Sequence, residues 1–193
     1  MSDDVIDLIE HDHREVEQLF ARLEAGGDQD ALLRQVAEEL IAHSKAEEEV
    51  VYPAITAAAS EEKEDVKDGT AEHHHIEHML EQLLQQGADA PGSDGAIAAV
   101  VAETRHHVEE EEHDILPAFR EASTAEQRAE LGRRFTEAKE RARGSAGASG
   151  SGSGGGAAGD KTRDELYEEA KEADVKGRSS MTKDELARAL DES

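Results

Sequence analysis

Two eleven-residue stretches of the chain share one pattern of histidine, glutamate and proline. The first reads HSKAEEEVVYP and begins at His43, and the second reads HVEEEEHDILP and begins at His107, 64 residues later. In each stretch glutamate follows the histidine by four and by five residues, and proline follows it by ten. Residues four apart lie on one face of a helix, one turn apart. Each stretch can therefore present an imidazole nitrogen and a carboxylate, both ligands for a transition metal, at one level of a helix.

Two further segments repeat the spacing with His13 and Glu17, and with His73 and Glu77. The histidines at 13, 43 and 73 are 30 residues apart, which is consistent with antiparallel helices that place their ligands at one height. Two carboxylates from opposed helices can bridge two metal ions, which lie ~3.5–4 Å apart in such sites. The residues predicted to hold metal are His13, His43, Glu47, His73, Glu77, His107 and Glu111.

The ligand that accompanies His73 is the least determined of this set. Glu77 is the first choice, because it follows His73 by four residues. His74 and His78 form another pair with that spacing, and they would serve instead if the helix were rotated.

Apolar residues recur every three or four positions around each histidine, which predicts four amphipathic helices. His13, His43, His73 and His107 fall on the apolar seams, so their side chains should point into a bundle. A buried carboxylate costs several kcal/mol unless it is paired or coordinated, and two cations would satisfy the whole group. The histidines predicted to be solvated are His11, His74, His75, His78, His106 and His113.

The composition suits a helical fold. The 193 residues include no Trp and only 3% aromatic residues, so Leu, Ile, Val and Ala must build the core. We predict an all-α, up-down-up-down four-helix bundle whose helices are separated by polar runs at 26–30, 60–70 and 87–95. An extra C-terminal helix, at about 125–142, should begin at a capping box and pack outside the bundle. Pro53 and Pro117 are interpreted as helix terminators or kinks.

The charge and the absence of cysteine limit the function. With 47 acidic and 21 basic residues, the net charge is −26, which disfavours non-specific binding to nucleic acid or to an anionic membrane. No cysteine is present, so disulfides and thiolate metal sites are excluded. The first residues are acidic rather than basic and no apolar run approaches 18 residues. We therefore expect a cytoplasmic protein.

A segment without charge divides the chain. Residues 144–159 read GSAGASGSGSGGGAAG, a composition that predicts a flexible linker between a body (1–143) and a tail (160–193). The tail has 11 acidic and 7 basic residues, which leaves the body with a net charge of −22. Two Thr-x-Asp-Glu-Leu phrases, beginning at Thr162 and Thr182, each supply a capping box, so the tail should form two short helices around a loop.

The order of these motifs resembles the hemerythrin-like, HHE cation-binding family. The resemblance covers about residues 4–120 and rests on DHREV, HSKAEEEVVYP, EHHHIEHML and HVEEEEHDILP. It implies a four-helix bundle that holds two non-haem, carboxylate-bridged iron ions. The family's histidine ligands fall on the four seam histidines, and its bridging carboxylates fall on Glu47 and Glu111. Where well-known members have a fifth histidine this chain has Glu77, a harder ligand that disfavours simple reversible dioxygen carriage.

The tail resembles the helix–extended loop–helix modules of SAP domains and of the N-terminal segment of the terminator Rho. That resemblance implies contact with nucleic acid through Lys176, Arg178 and Lys183. The tail's net charge of −4 argues against tight charge-driven binding, and a protein partner or a simple folding module is the favoured interpretation.

Three functions follow as hypotheses. The first is a cytoplasmic di-iron protein that senses or handles dioxygen, peroxide or nitric oxide, or that buffers iron. The second is a catalase-like enzyme that consumes peroxide. The third is an adapter whose tail binds nucleic acid or a protein.

Overall fold

The computed structural model describes residues 4–26 and 28–149, and within these ranges the regular elements are helical. The helices are α1 (Val5–Glu24), α2 (Gln29–Ala46), α3 (Tyr52–Ala58), α4 (Lys63–Gln86), α5 (Ser93–Glu110), α6 (Leu116–Ala122) and α7 (Ala125–Ser149). π-Helical turns at Glu47–Val51 and Glu111–Ile115 join α2 to α3 and α5 to α6, and a 3-10 turn at Ser60–Glu62 precedes α4. None of the helices described combines the length and the apolar character needed to cross a bilayer.

Side chains fix where several helices begin. Asp4 accepts a hydrogen bond from the Ile6 amide at 3.0 Å and so caps α1. At the start of α7, the Thr124 amide donates to Gln127 Oε1 (2.8 Å) and the Gln127 amide donates to Thr124 Oγ1 (3.3 Å). This reciprocal pair confirms the predicted capping box.

Helix α4 begins earlier than the sequence suggested. The polar run 60–70 was interpreted as a separator, but α4 starts at Lys63. Glu64 and Asp65 lie in its first turn, where negative charge favours the helix dipole. Val66 is buried and lies seven residues before His73, so the apolar seam of α4 extends about two turns further toward its N-terminus than the residues around His73 indicated.

The two prolines do not end helices. The chain stays helical to Ala58 after Pro53 and to Ala122 after Pro117, so these prolines are not helix terminators, and the alternative interpretation as kinks stays a prediction. In the π turn before Pro53 the Tyr52 amide donates to the Glu47 carbonyl, five residues back. In the π turn before Pro117 the Leu116 amide likewise donates to the Glu111 carbonyl. A proline has no N–H and collides with the carbonyl four residues back, so it interrupts the regular α-helical hydrogen bonds, and each π turn ends two residues before a proline.

Helix α7 packs against α1, α2 and the first π turn. It was expected outside the bundle, but its apolar edge joins the core: Leu131, Phe135 and Ala138 are buried together with residues of α1 and α3. The helix reaches Ser149, so the first residues of the segment predicted as a linker are helical. The rest of that segment and the tail module predicted at 160–193 lie outside the described residues.

The core has two apolar layers with a polar layer between them. One layer contains Ile9, Val50 and Phe119, and the other contains Val16 and Leu80. The four seam histidines occupy the interval between these layers. Hydrophobic side chains above and below therefore keep water from the polar groups and lower the local dielectric constant.

Candidate metal centre

The structure buries the four histidines that the apolar seams singled out. His13, His43, His73 and His107 are 7%, 3%, 4% and 5% exposed, and the side chains of Glu47 and Glu111 are fully buried. The six histidines predicted to be solvated are all exposed. Helical periodicity was therefore a sufficient guide to which imidazoles face inward.

The buried ligand atoms form two groups that share one carboxylate. In each group the atoms lie within 4.8 Å of one another. The first group contains His13, His43, Glu47 and Glu111, and the second contains Glu47, His73 and His107. Glu47 Oε1 is 3.2 Å from His43 Nε2, whereas Glu47 Oε2 is 3.4 Å from His73 Nε2. Glu47 thus presents one oxygen to each group, which is the arrangement of a bridging carboxylate.

Every buried imidazole has its Nδ1 atom against a carboxylate. The Nδ1–carboxylate pairs are His13–Glu112 (2.8 Å), His43–Asp12 (3.0 Å), His73–Glu48 (3.1 Å) and His107–Glu72 (2.9 Å). An ionised carboxylate only accepts hydrogen bonds, so each Nδ1–H must be the donor. This contact fixes the orientation of the ring and leaves Nε2 directed toward the interior, as is usual for histidines that bind metal.

These contacts follow an internal two-fold pattern. The acid that precedes His13 or His73 binds the histidine that opens the next HxxxEE stretch. The second glutamate of each stretch contacts the first histidine of the other half of the bundle: Glu48 contacts His73, and Glu112 contacts His13. The doubled glutamate therefore has two roles: the first residue lies among the ligand atoms, and the second orients an imidazole across the bundle.

The orienting carboxylates were not predicted from the sequence. Glu48 and Glu112 were not among the predicted site residues, yet both contact buried imidazoles, with side chains that are 27% and 38% exposed. Asp12 and Glu72 were not among the predicted site residues either. The available signal was that an acid immediately precedes both His13 and His73 and that both glutamates of the HxxxEE pattern repeat.

Glu77 does not lie with the other predicted ligands. Its side chain is 32% exposed and forms an ion pair with Lys45 at 3.5 Å. The buried seam of α4 passes through His73, Ile76 and Leu80. The four residues from His73 to Glu77 advance the helix by about 400°, which is slightly more than one full turn. Glu77 therefore lies to one side of that seam, toward α2. The alternative pair, His74 and His78, is exposed as well.

The remaining six residues fit a pair of cations. Buried side-chain atoms without a hydrogen-bond partner include Nε2 of His13, Nε2 of His43, and both carboxylate oxygens of Glu47 and of Glu111. Nε2 of His73 lies 2.9 Å from Nε2 of His107. With both Nδ1 atoms donating, two neutral rings would direct lone pairs at each other, which is favourable only if a proton or a metal ion lies between them. Imidazoles with carboxylates are a typical donor set for iron or other transition metals.

Without metal, buried imidazoles hold protons at the positions that a metal ion would take. Burial disfavours a charged His43, but the Glu47 carboxylate and the hydrogen bond to Asp12 outweigh it and raise its pKa to about 10. Burial likewise opposes the charge of His73, yet the adjacent carboxylates of Glu47 and Glu48 favour it and raise the pKa of His73 to about 9. Although burial acts to raise the pKa of Glu47, His43 holds it well below its usual value. Metal uptake must therefore release protons.

One pair of residues departs from the two-fold pattern. Tyr52 and Gly69 stand where the other half of the bundle has Leu116 and Ile9. The Tyr52 hydroxyl lies 3.3 Å from His73 Nε2, and a Cβ at Gly69 would be 3.1 Å from that oxygen. The absence of a side chain at Gly69 thus makes room for the phenol. Burial and the nearby glutamates raise the pKa of Tyr52, so it stays protonated at neutral pH and can donate a hydrogen bond.

Helix α7 reaches the site from outside. The ring of Phe135 meets the ring of His43 edge-on, with centroids 5.8 Å apart. Lys139 Nζ is 2.6 Å from Asp12 Oδ2, the same oxygen that holds His43 Nδ1. Helix α7 thus supports one ligand through an apolar contact and a buried ion pair.

Comparison with known proteins identifies a family that matches this chain and several proteins that are similar to it. The family model described as hemerythrin HHE cation binding domain matches residues 4–146. A DNA nickase from Nostoc sp. is 29% identical over 136 residues, which are 69% of this chain and 38% of the nickase. An uncharacterised hemerythrin-like protein from Schizosaccharomyces pombe is 27% identical over 139 residues, 70% of this chain and 68% of that protein. The chain thus spans well under half of the nickase.

One solved structure supports the fold. The crystal structure of a hemerythrin HHE cation binding domain-containing protein from Mycobacterium kansasii matches with a TM-score of 0.64 and 22% identity. The match covers 97% of this chain and 99% of that one. At this identity the likeness concerns the fold of the helical bundle.

Proposed function

The chain belongs to the hemerythrin HHE cation-binding domain family and is a metal-binding protein, and from this premise we propose that its six buried ligands hold two iron ions bridged by carboxylate. One observation carries the proposal: Glu47 offers a different oxygen to each of two histidine groups, and no hydrogen bond satisfies either oxygen. A single ion would leave one histidine group facing a buried charge without compensation.

The proposed role is to sense or handle a small oxidant, namely dioxygen, peroxide or nitric oxide. Bound iron would supply the redox chemistry, and the protein's part is to fix the imidazoles through their Nδ1 contacts and to exclude bulk water. A cleft of about 200 Å³ reaches His13 and is also lined by Thr104. The Thr104 hydroxyl is buried without a hydrogen-bond partner. The cleft is large enough for a molecule of a few atoms, and the hydroxyl can form a hydrogen bond with it. Storage of iron without such a reaction is the simpler form of the same proposal.

Metal analysis of aerobically purified protein, with an optical spectrum before and after peroxide, tests this proposal. We expect two iron ions per chain and a near-ultraviolet absorption that changes on addition of peroxide. One ion per chain, or a spectrum that peroxide leaves unchanged, would contradict the bridged centre or the oxidant role, respectively.

A peroxide-consuming enzyme is the second candidate, and the Tyr52 hydroxyl favours it. A protonated phenol 3.3 Å from a ligand nitrogen can donate a hydrogen bond or a proton to an oxygen species bound nearby. Steady-state oxygen release from peroxide by the iron-loaded protein decides between turnover and sensing. Tyr52→Phe should reduce the rate while iron content stays constant, and a negligible wild-type rate would remove the enzyme hypothesis.

Among the comparisons, the similarity to a DNA nickase favours a nucleic-acid function. The body's net charge of −22 opposes binding to a polyanion. Incubating supercoiled plasmid with the metal-loaded full chain tests nicking, and a gel shift with and without residues 160–193 tests the adapter hypothesis. Absence of both effects at low salt would exclude this role.

A further inference from the structure

A cleft between α4 and the C-terminal end of α5, with the π turn that follows it, connects the protein surface to the metal ligands. It has a volume of about 180 Å³, and His107 and Glu111 lie among its lining residues. Six of the nine lining residues are carboxylates, and His107 is the only basic one among them. The lining carboxylates are Asp65, Asp68, Glu72, Glu110, Glu111 and Asp114. Such a concentration of negative charge in a narrow cleft attracts cations and focuses their approach.

The inner end of this cleft has an unsatisfied buried group. Glu111 is fully buried, and neither of its carboxylate oxygens has a hydrogen-bond partner. Gly69 lies beside it, and a Cβ there would be 3.4 Å from His107 Cε1. The absence of a side chain at Gly69 keeps this end open. A cation moving inward would therefore meet a ligand that needs one.

Two of the cleft's lining residues, Glu72 and Glu110, belong to an outer group of donors that is able to hold a cation briefly. The third member is His106, which does not line the cleft itself, and the ligand atoms of the three lie within 4.8 Å of one another. His106 and Glu110 are exposed, so an arriving ion can keep most of its water while it contacts them. Glu72 also holds His107 Nδ1 at 2.9 Å, so the outer group of donors directly contacts one of the buried ligands.

The other cleft that reaches a ligand has a different character. It opens beside His13, and its lining includes two arginines, Arg14 and Arg105, and two glutamates, Glu17 and Glu112. Arg105 is held there by two contacts to Glu17, at 2.6 and 2.9 Å. These opposite charges offset one another, so this cleft lacks the excess of negative charge that draws in a divalent cation, and of these two clefts the one at His107 is better suited to metal uptake.

We propose that the acidic cleft between α4 and α5 is the route by which a hydrated divalent cation reaches the buried centre, with Glu72, His106 and Glu110 as its first binding station. This inference rests on the proposed function, because it requires that the six buried residues bind metal. It adds that the rate of loading, as distinct from the final affinity, is set by side chains that are not among those six residues.

Stopped-flow uptake of Co²⁺ by the metal-free full chain tests the route. Cobalt gives an optical signal when imidazole and carboxylate bind it, and no oxidation complicates the reading. The cleft variant carries Asp68→Asn and Glu110→Gln. The matched control carries Glu81→Gln and Asp94→Asn, which make the same change of charge on α4 and α5 but lie about 20 Å or more along each helix from the altered positions.

The cleft variant should load about fivefold more slowly than the control at low salt, and the difference should fall to less than about twofold near 0.5 M salt, where charges are screened. Both variants should reach the wild-type stoichiometry. His106→Asn should also slow loading without changing the final cobalt content. Cleft and control variants that load equally fast would overturn the route alone, provided that the wild type binds two ions. A wild type that takes up no metal would overturn the proposed function, and the route with it.

Discussion

Replacing Glu48 with Gln tests whether the carboxylate on Nδ1 contributes to metal binding. Glu48 Oε1 lies 3.1 Å from His73 Nδ1, and the side chain is 27% exposed. Glutamine keeps a carbonyl acceptor for the Nδ1–H group but removes the negative charge that makes the imidazole a stronger ligand. Loss of such a partner typically costs 10–100-fold in metal affinity. Because the acceptor remains and the site is partly solvated, we expect the lower end, about tenfold or ~1.4 kcal/mol.

Competition between the protein and a chelator of known affinity measures the change. The matched control is Glu49→Gln, one residue further along, where the side chain is 59% exposed and pairs with Arg141. It removes the same charge without touching an imidazole, so its affinity should stay within about twofold of the wild type. The internal two-fold pattern adds that Glu112→Gln should cost about as much as Glu48→Gln. Equal affinities for the Glu48 and Glu49 variants would refute the reasoning.

Three further outcomes follow from the same geometry. His43→Ala should lose bound metal whereas His11→Ala should keep it, as metal analysis of the purified proteins would show; full metal content in the first would contradict the ligand assignment. Lys139→Met leaves Asp12 with a buried charge that has lost one partner, so urea unfolding should show a loss of about 3 kcal/mol, and an unchanged midpoint would count against that ion pair. The raised pKa values of His43 (about 10) and His73 (about 9) stabilise the metal-free protein fully below their ordinary value of 6.5. That stability is lost progressively as pH rises from about 6.5 through 9 to 10, so the melting temperature of chelator-treated protein should fall across this window; a flat profile would argue against buried imidazolium groups.

The sequence was enough to predict a helical fold and the inward direction of four histidines. Both follow from local spacing, because the period of the helix converts position along the chain into direction around the axis. His13 and His107 lie on apolar seams and are buried, whereas His11 and His106, only one or two residues away, are exposed. The capping box of α7 was predictable for the same reason, since Thr124 and Gln127 are three residues apart.

Local spacing did not predict which carboxylates are buried where a small rotation around the helix axis decides their direction. Glu77 has the same four-residue relation to His73 as Glu47 has to His43, yet Glu47 is fully buried and Glu77 pairs with Lys45. A π turn begins at Glu47 and widens the helix there, while α4 continues as a regular α-helix through Glu77. The prolines that accompany the π turns were visible in the sequence and were interpreted as helix terminators or kinks, but the spacing of residues did not show that the chain stays helical beyond them.

The sequence by itself determined which imidazoles point into the bundle and that carboxylates accompany them. Only the tertiary structure decided which carboxylate lies among the ligand atoms, which one orients a ring, and which one faces solvent. Glu48 reaches His73 across 25 residues of chain, and Glu112 reaches His13 across 99. Contacts between helices depend on the rotation and height of each helix against its neighbours, and packing of the two apolar layers sets both quantities.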